Sequence, residues 1–316
     1  MERHAFNVIP SFYKFQNETD VYTDSRKDEI IELEMKNVFT RFTNDIIANC
    51  AFGIKCDSLK DETNQFFTMG SSLSAPRGLN VLRGILAALF PKVFKDTMLL
   101  REKENIVRPD MIHLLMEAKK GRLRHDNEKT TENETGFATV EESSLGKTVR
   151  KMELTDDMIA AQALVFFFAG FETSSTLLSF LSYELALNPD IQSKVQSEID
   201  EAVNKGNGKV SYEDILKIKY LDQVISETLR KYPPGYVLTR VCTKDYKIEA
   251  KKDNEIDFVL EKGCVVSIPV CGIHMDPKYF PEPNKFDPDR FSDENKGRIV
   301  PGSYMPFGIG PRNCIG

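Results

Sequence analysis

The last eleven residues, Pro306-Phe307-Gly308-Ile309-Gly310-Pro311-Arg312-Asn313-Cys314-Ile315-Gly316, set a single cysteine in a glycine-rich loop with an arginine two positions before it. Glycine tolerates backbone angles and close approaches that a Cβ forbids, so such a loop can bend around a bulky flat ligand and turn N–H groups toward sulfur. Those donors, the Arg312 guanidinium and a bound metal would all stabilise a negatively charged sulfur. The pattern therefore reads as a loop that presents a thiolate to a metal. A buried, inert cysteine after a turn is the alternative that a lone Gly-x-Arg-x-Cys leaves open.

Outward from that loop, composition narrows the field. The chain has 316 residues, 41% hydrophobic and 28% charged, which is ordinary for a globular protein, and a net charge of −6 gives no reason to expect a nucleic acid partner. The six cysteines, at 50, 56, 242, 264, 271 and 314, include no Cys-x-x-Cys pair and no compact spacing that suggests a disulfide framework or a zinc site. Free thiols in a reducing compartment are the simpler reading. No stretch reaches the ~20 apolar residues of a membrane-spanning helix, and Met1-Glu2-Arg3-His4 does not open a signal peptide.

Helical spacing of apolar residues predicts helices over 29–51, 65–73, 80–90 (stopped by Pro91) and 110–118. The segment 119–150 is polar and rich in Gly, Ser, Thr, Asn and Glu, and reads as a flexible surface loop. A long central helix follows over 155–188, capped by Thr155, with Asp156 and Asp157 at the positive end of its dipole and Asn188-Pro189 closing it. Its stretch 160–171 is apolar nearly all round, which predicts burial on every side. Further helices are expected at 191–203, 212–216 and 221–231, and strands at 246–248 and 265–268.

Two polar patterns stand out on these helices. Ala169-Gly170-Phe171-Glu172-Thr173 places an acid and an alcohol among apolar neighbours, where an unpartnered carboxylate costs several kcal/mol. A Thr bonding back to the carbonyl one turn earlier, with Glu reaching solvent, is the plainer alternative. Glu227-Thr228-Leu229-Arg230 sets opposite charges at i and i+3 on one helical face, a weak signal because most such pairs are solvated.

Phe-x-x-Gly-x-Arg-x-Cys-x-Gly resembles the heme-binding loop of cytochrome P450 enzymes. The wording of the loop, of Phe168-Ala169-Gly170-Phe171-Glu172-Thr173 and of Phe42-Thr43-Asn44-Asp45-Ile46-Ile47-Ala48 is most similar to insect microsomal members. The resemblance implies a mainly α fold with a small β-sheet region, here as one partial domain over 1–316, truncated at both ends. It makes Cys314 the axial thiolate to heme iron, pairs Arg312 and Arg240 with heme propionates, and packs Phe307 beside the sulfur. Gly170 would make room for oxygen and substrate, while Glu172 and Thr173 would deliver protons to dioxygen. Glu227 and Arg230 would form a buried pair completed by Arg290, a structural triad that locks the segment leading to the cysteine. His274 would serve packing and propionate-side hydrogen bonding rather than bind iron.

The activity so implied is heme-thiolate monooxygenation of a small apolar substrate, with O₂ and electrons from NADPH-cytochrome P450 reductase, and with cytochrome b5 as a further partner. The location implied is the cytoplasmic face of the endoplasmic reticulum membrane, through an anchor that this sequence does not match. A non-catalytic partial chain and a heme-thiolate isomerase or dehydratase remain as alternatives.

Overall fold

The computed structural model describes residues 33–315 except 62, 75–79, 122–153, 207, 209, 253 and 255, and for 72–74 and 80–91 the backbone alone. The expected loop over 119–150 therefore lies almost wholly outside the described residues. The elements are α1 (Met35–Phe52), α2 (Gln65–Ser74), α3 (Asn80–Lys103), α4 (Met111–Lys119), α5 (Asp156–Leu187), α6 (Pro189–Lys205), α7 (Tyr212–Leu216) and α8 (Lys219–Lys231). Four short strands follow, β1 (Leu238–Val241), β2 (Tyr246–Ile248), β3 (Phe258–Leu260) and β4 (Val265–Ile268), then α9 (Val270–His274). The predicted helices and both predicted strands are present, and the strands pair antiparallel as β1 with β4 and β2 with β3.

The described residues fall into two compact units, 33–121 with 154–179 and 180–315. The core of the first is aromatic: Phe52, Phe66, Phe94, Phe167 and Phe171 are all buried. The Phe167 ring stacks on Phe171 at 5.0 Å and meets Phe66 edge-on at 5.2 Å, the offset arrangements that ring quadrupoles favour. Gly70 meets the tip of the Phe167 ring, and a Cβ there would stand 2.4 Å from Phe167 Cζ and displace it. Helix α1 ends at Gly53, whose φ of 65° closes the left-handed cap and returns its N–H to the Asn49 carbonyl. In the second unit, Val195, Tyr220, Val224 and Phe286 form the core between α6, α8 and the segment after α9.

Two expectations change. Pro91 does not end α3, which runs on to Lys103. Proline removes one backbone hydrogen bond, and burial of Phe94 and Met98 one and two turns later outweighs that loss. The stretch 160–171 is not buried on every side: Ala160, Ala163, Phe167 and Phe171 are buried, whereas Ala161, Val165 and Ala169 are exposed. Its apolar composition also makes α5 the one described helix long and apolar enough to cross a membrane, with mean hydropathy 1.5 over its best window. What α5 buries is one face, with Ile159, Ala160, Ala163, Phe167 and Phe171 in the core of its unit.

Candidate functional site

The cysteine loop is a run of tight turns. Gly308 and Gly310 hold φ of 76° and 88°, the left-handed region where a Cβ is strained, so these two glycines are dictated by the backbone path. The Gly308 N–H donates to Met305 O at 3.0 Å, Asn313 N–H to Gly310 O at 3.0 Å and Cys314 N–H to Phe307 O at 2.8 Å, which closes the loop on itself. Cys314 is a free, exposed cysteine and Arg312 is exposed, while Phe307 is half-buried. Arg240, on β1, is half-buried, and its guanidinium donates to the neighbouring Thr239 carbonyl at 2.9 Å. Among the described residues no group of three or more His, Cys, Asp or Glu lies together to hold a metal ion. A metal at Cys314 would have to arrive in a carrier that brings its own ligands.

Behind the loop lies a fully buried ionic network. The Arg230 fork donates from Nε to Glu227 Oε2 at 2.6 Å and from Nη2 to Glu227 Oε1 at 2.9 Å, with both side chains at 0% exposure. Charges this deep are tolerable only when every donor and acceptor is used. For the Glu227–Arg230 pair the Asp287 N–H adds a bond to Glu227 Oε1 at 2.9 Å, while Arg290 Nε, 3.5 Å from the same oxygen, contributes charge without a hydrogen bond. The remaining Arg230 donors go to the His274 and Pro283 carbonyls, each at 2.8 Å, and to Met275 Sδ at 3.6 Å. Burial pushes the Glu227 carboxyl up from the usual carboxylate range, opposed by Arg230 and the Asp287 N–H.

His274 is buried at 0% exposure, stacked on Tyr304 at 5.5 Å. Its Nδ1 lies 3.1 Å from the Arg230 carbonyl and its Nε2 accepts the Met305 N–H at 2.9 Å. A carbonyl can only accept and an amide can only donate, so the ring is the neutral tautomer with its proton on Nδ1. Burial pushes its pKa down to about 4. The expected propionate-side role gives way to a backbone one, because both ring nitrogens are taken by main-chain groups.

The acid–alcohol pattern is arranged differently. Glu172 is not buried as the sequence suggested; it is half-exposed and forms an ion pair with Lys36 at 3.0 Å. The Lys36 ammonium also donates to Ser175 Oγ and Thr176 Oγ1, each at 2.8 Å, which uses its three protons on one face of α5. Thr173 is exposed and its hydroxyl donates to the Ala169 carbonyl one turn back, the plainer of the two arrangements that the sequence allowed. At Gly170 a Cβ would stand 2.7 Å from Ile47 Cδ1. Within its own unit, close packing of α1 on α5 accounts for this glycine. Thr43 reinforces that contact, donating to the Phe171 carbonyl at 3.0 Å.

Lys36 had no reading in the sequence beyond a basic residue at the start of a helix, whereas His274 was read as a packing and hydrogen-bonding residue and differs only in what it bonds.

The sequence model of the family described as Cytochrome P450 matches residues 14–316. The chain belongs to the cytochrome P450 family. Among its relatives, cytochrome P450 9e2 of Blattella germanica is 44% identical over 311 residues, covering 92% of this chain and 55% of the relative. Cytochrome P450 9b2 of Drosophila melanogaster is 40% identical over 306 residues, covering 90% and 55%. Cytochrome P450 6k1 of Blattella germanica is 38% identical over 304 residues, covering 90% and 56%. The chain thus spans little more than half the length of these P450 relatives. The family binds heme, and an exposed sulfur on a glycine-built loop, with no cluster of protein ligands around it among the described residues, suits a metal that carries its own macrocycle.

Proposed function

We propose that the protein containing this chain is a microsomal monooxygenase. It takes electrons from NADPH through cytochrome P450 reductase, with cytochrome b5 as a further partner, and inserts one atom of O₂ into a small apolar substrate while the other leaves as water. The observation that carries this reading is the exposed Cys314 sulfur on a loop anchored to a buried ion-pair network. Heme, when bound, supplies the activation of dioxygen and the oxygen insertion.

The chain's own residues supply position and protons. Cys314 presents a sulfur ligand from a backbone whose N–H groups are committed to loop carbonyls, which fixes where the sulfur points. Glu227, Arg230 and Arg290 keep the approach to the loop rigid. Arg240 and Arg312 offer cations for carboxylates of the macrocycle. On α5, Glu172 would hold and pass protons at its carboxylate, and the Thr173 hydroxyl, which donates to the Ala169 carbonyl, would be the alcohol that accompanies it. In this role Lys36 holds the Glu172 carboxylate to the helix surface.

Turnover of an apolar test substrate under ¹⁸O₂, with NADPH and reductase, tests the reading. One ¹⁸O atom in the product and one in water is the expected result. Product that forms without NADPH and carries no label would overturn it in favour of an isomerase or dehydratase. A heme-loaded chain that makes no product at all would favour the second reading, a non-catalytic partial chain, which the 55% coverage of the relatives keeps in view.

A further inference from the structure

His274 joins two things that the sequence lists separately. Its ring bridges the C-terminal end of α8, through the Arg230 carbonyl, to the Met305 N–H, where the cysteine loop begins. Its own carbonyl receives the Arg230 guanidinium at 2.8 Å, so residues 230 and 274 hold each other by two bonds of opposite direction. From Met305 the path continues through the Gly308 N–H to Met305 O, and the loop then closes from Cys314 N–H to Phe307 O. Tyr304, beside Met305, is fixed as well, its ring on His274 and its hydroxyl donating to the Ser226 carbonyl at 3.1 Å. Met305 itself is buried at 8% exposure, where an unpaired N–H would be costly.

We infer that His274 is a positioning residue for Cys314: its neutral imidazole registers the cysteine loop against the buried Glu227–Arg230 pair, and through that register sets where the sulfur meets iron. The inference rests on the proposed role of Cys314 as the iron ligand. Packing alone does not account for the geometry, since a leucine or phenylalanine would fill the space and leave the Met305 N–H and the Arg230 carbonyl unpaired. The requirement is for one acceptor and one donor flanking a single carbon of a flat group. Glutamine meets it in part, with an acceptor oxygen and a donor nitrogen on one carbon.

The test compares wild type, His274→Leu and His274→Gln in the heme-loaded full protein. Two readouts are used: hydrogen exchange at the Met305 amide, and the fraction of bound heme that shows the thiolate band in the reduced carbon monoxide spectrum. The expected result is exchange at Met305 at least ~10-fold faster in His274→Leu, as loss of one buried hydrogen bond of about 1.4 kcal/mol implies. A several-fold smaller thiolate fraction should accompany it, with both restored toward wild type in His274→Gln. Unchanged Met305 protection in His274→Leu would overturn the inference. So would equal loss in both variants, which marks a packing role only. Should His274→Leu not fold, His274→Gln decides alone: a protected Met305 with a thiolate band supports the inference, and an exposed Met305 with an unchanged band contradicts it. Failure of the underlying reading looks different, because the wild type itself would then lack the thiolate band while Met305 exchange still reports on His274.

Discussion

Residues 219–314 and residues 156–176 handle charge in opposite ways. In the first region a glutamate and an arginine at 0% exposure are saturated by one another, by main-chain carbonyls and by the Asp287 N–H. In the second, Glu172 keeps 44% of its side chain exposed and is held by a single lysine that is itself 37% exposed. The first arrangement costs desolvation and is stable only as a complete set; the second costs little and holds loosely. A loop that must keep one sulfur in place is mounted on the rigid kind. A carboxylate proposed to pass protons sits on the kind that can move.

The largest expected effect follows from breaking the rigid set. Arg230→Met leaves Glu227 buried without its main partner, and a loss of about 3–5 kcal/mol is expected from urea unfolding, enough to prevent folding of a marginal domain. A loss below ~1 kcal/mol would mean that the two regions do not differ as described.

Acid should sharpen the same contrast. His274 is held at about 4 by burial, against roughly 6.5 in an unfolded chain, so below pH 6.5 the unfolded state binds a proton that the native state refuses. The stability due to this histidine is complete above pH 6.5 and falls as pH drops toward 4, by ~2 kcal/mol between pH 6.5 and 5 at ~1.4 kcal/mol per unit. Arg230, Glu227 and Tyr304 also face or adjoin the ring. Tyr304, pushed up by burial, stays neutral, whereas the Glu227 carboxyl, raised by burial, works in the opposite direction. The difference between wild type and His274→Gln at each pH removes those shared contributions. Equal slopes in both proteins would contradict the assignment of the neutral ring.

In the second region a smaller effect is expected. Gly170→Ala puts a methyl 2.7 Å from Ile47 Cδ1, the end of a flexible chain, and should cost about 1 kcal/mol, largely relieved in the double variant with Ile47→Val. Additive losses would show that Gly170 answers to something other than Ile47. Smallest of all, Lys36→Met should lower stability by ~0.5 kcal/mol or less, because its ion pair with Glu172 is half in water. A cost of several kcal/mol would place Glu172 in the rigid class after all.

What the sequence disclosed follows the same division. Helix positions were legible because apolar spacing and caps are local, as at Thr155, whose hydroxyl accepts the Met158 N–H at the start of α5. Strands β1 and β3 were not read from the sequence, although each is as long as the predicted strand it pairs with, β4 and β2 respectively. Pro91 misled because a local breaker was outweighed by burial of Phe94 and Met98. Glu227-x-x-Arg230 was visible as a spacing, but its burial, and the reach of His274 across 31 residues to Met305, depend on which segments fold back on α8. The buried Arg101–Asp110 pair of the first unit, at 2.6 Å, gave no sign at all, since nine residues apart is no helical spacing. Glycines 308 and 310 were legible because positive φ is written directly into residue choice.

The central claim, that Cys314 presents its sulfur to heme iron, is most directly tested by the reduced carbon monoxide spectrum of the heme-reconstituted protein beside Cys314→Ser. The account expects the band of thiolate ligation in the parent and its complete loss in the variant. A thiolate band that survives Cys314→Ser, or a parent that binds heme fully without one, would contradict it.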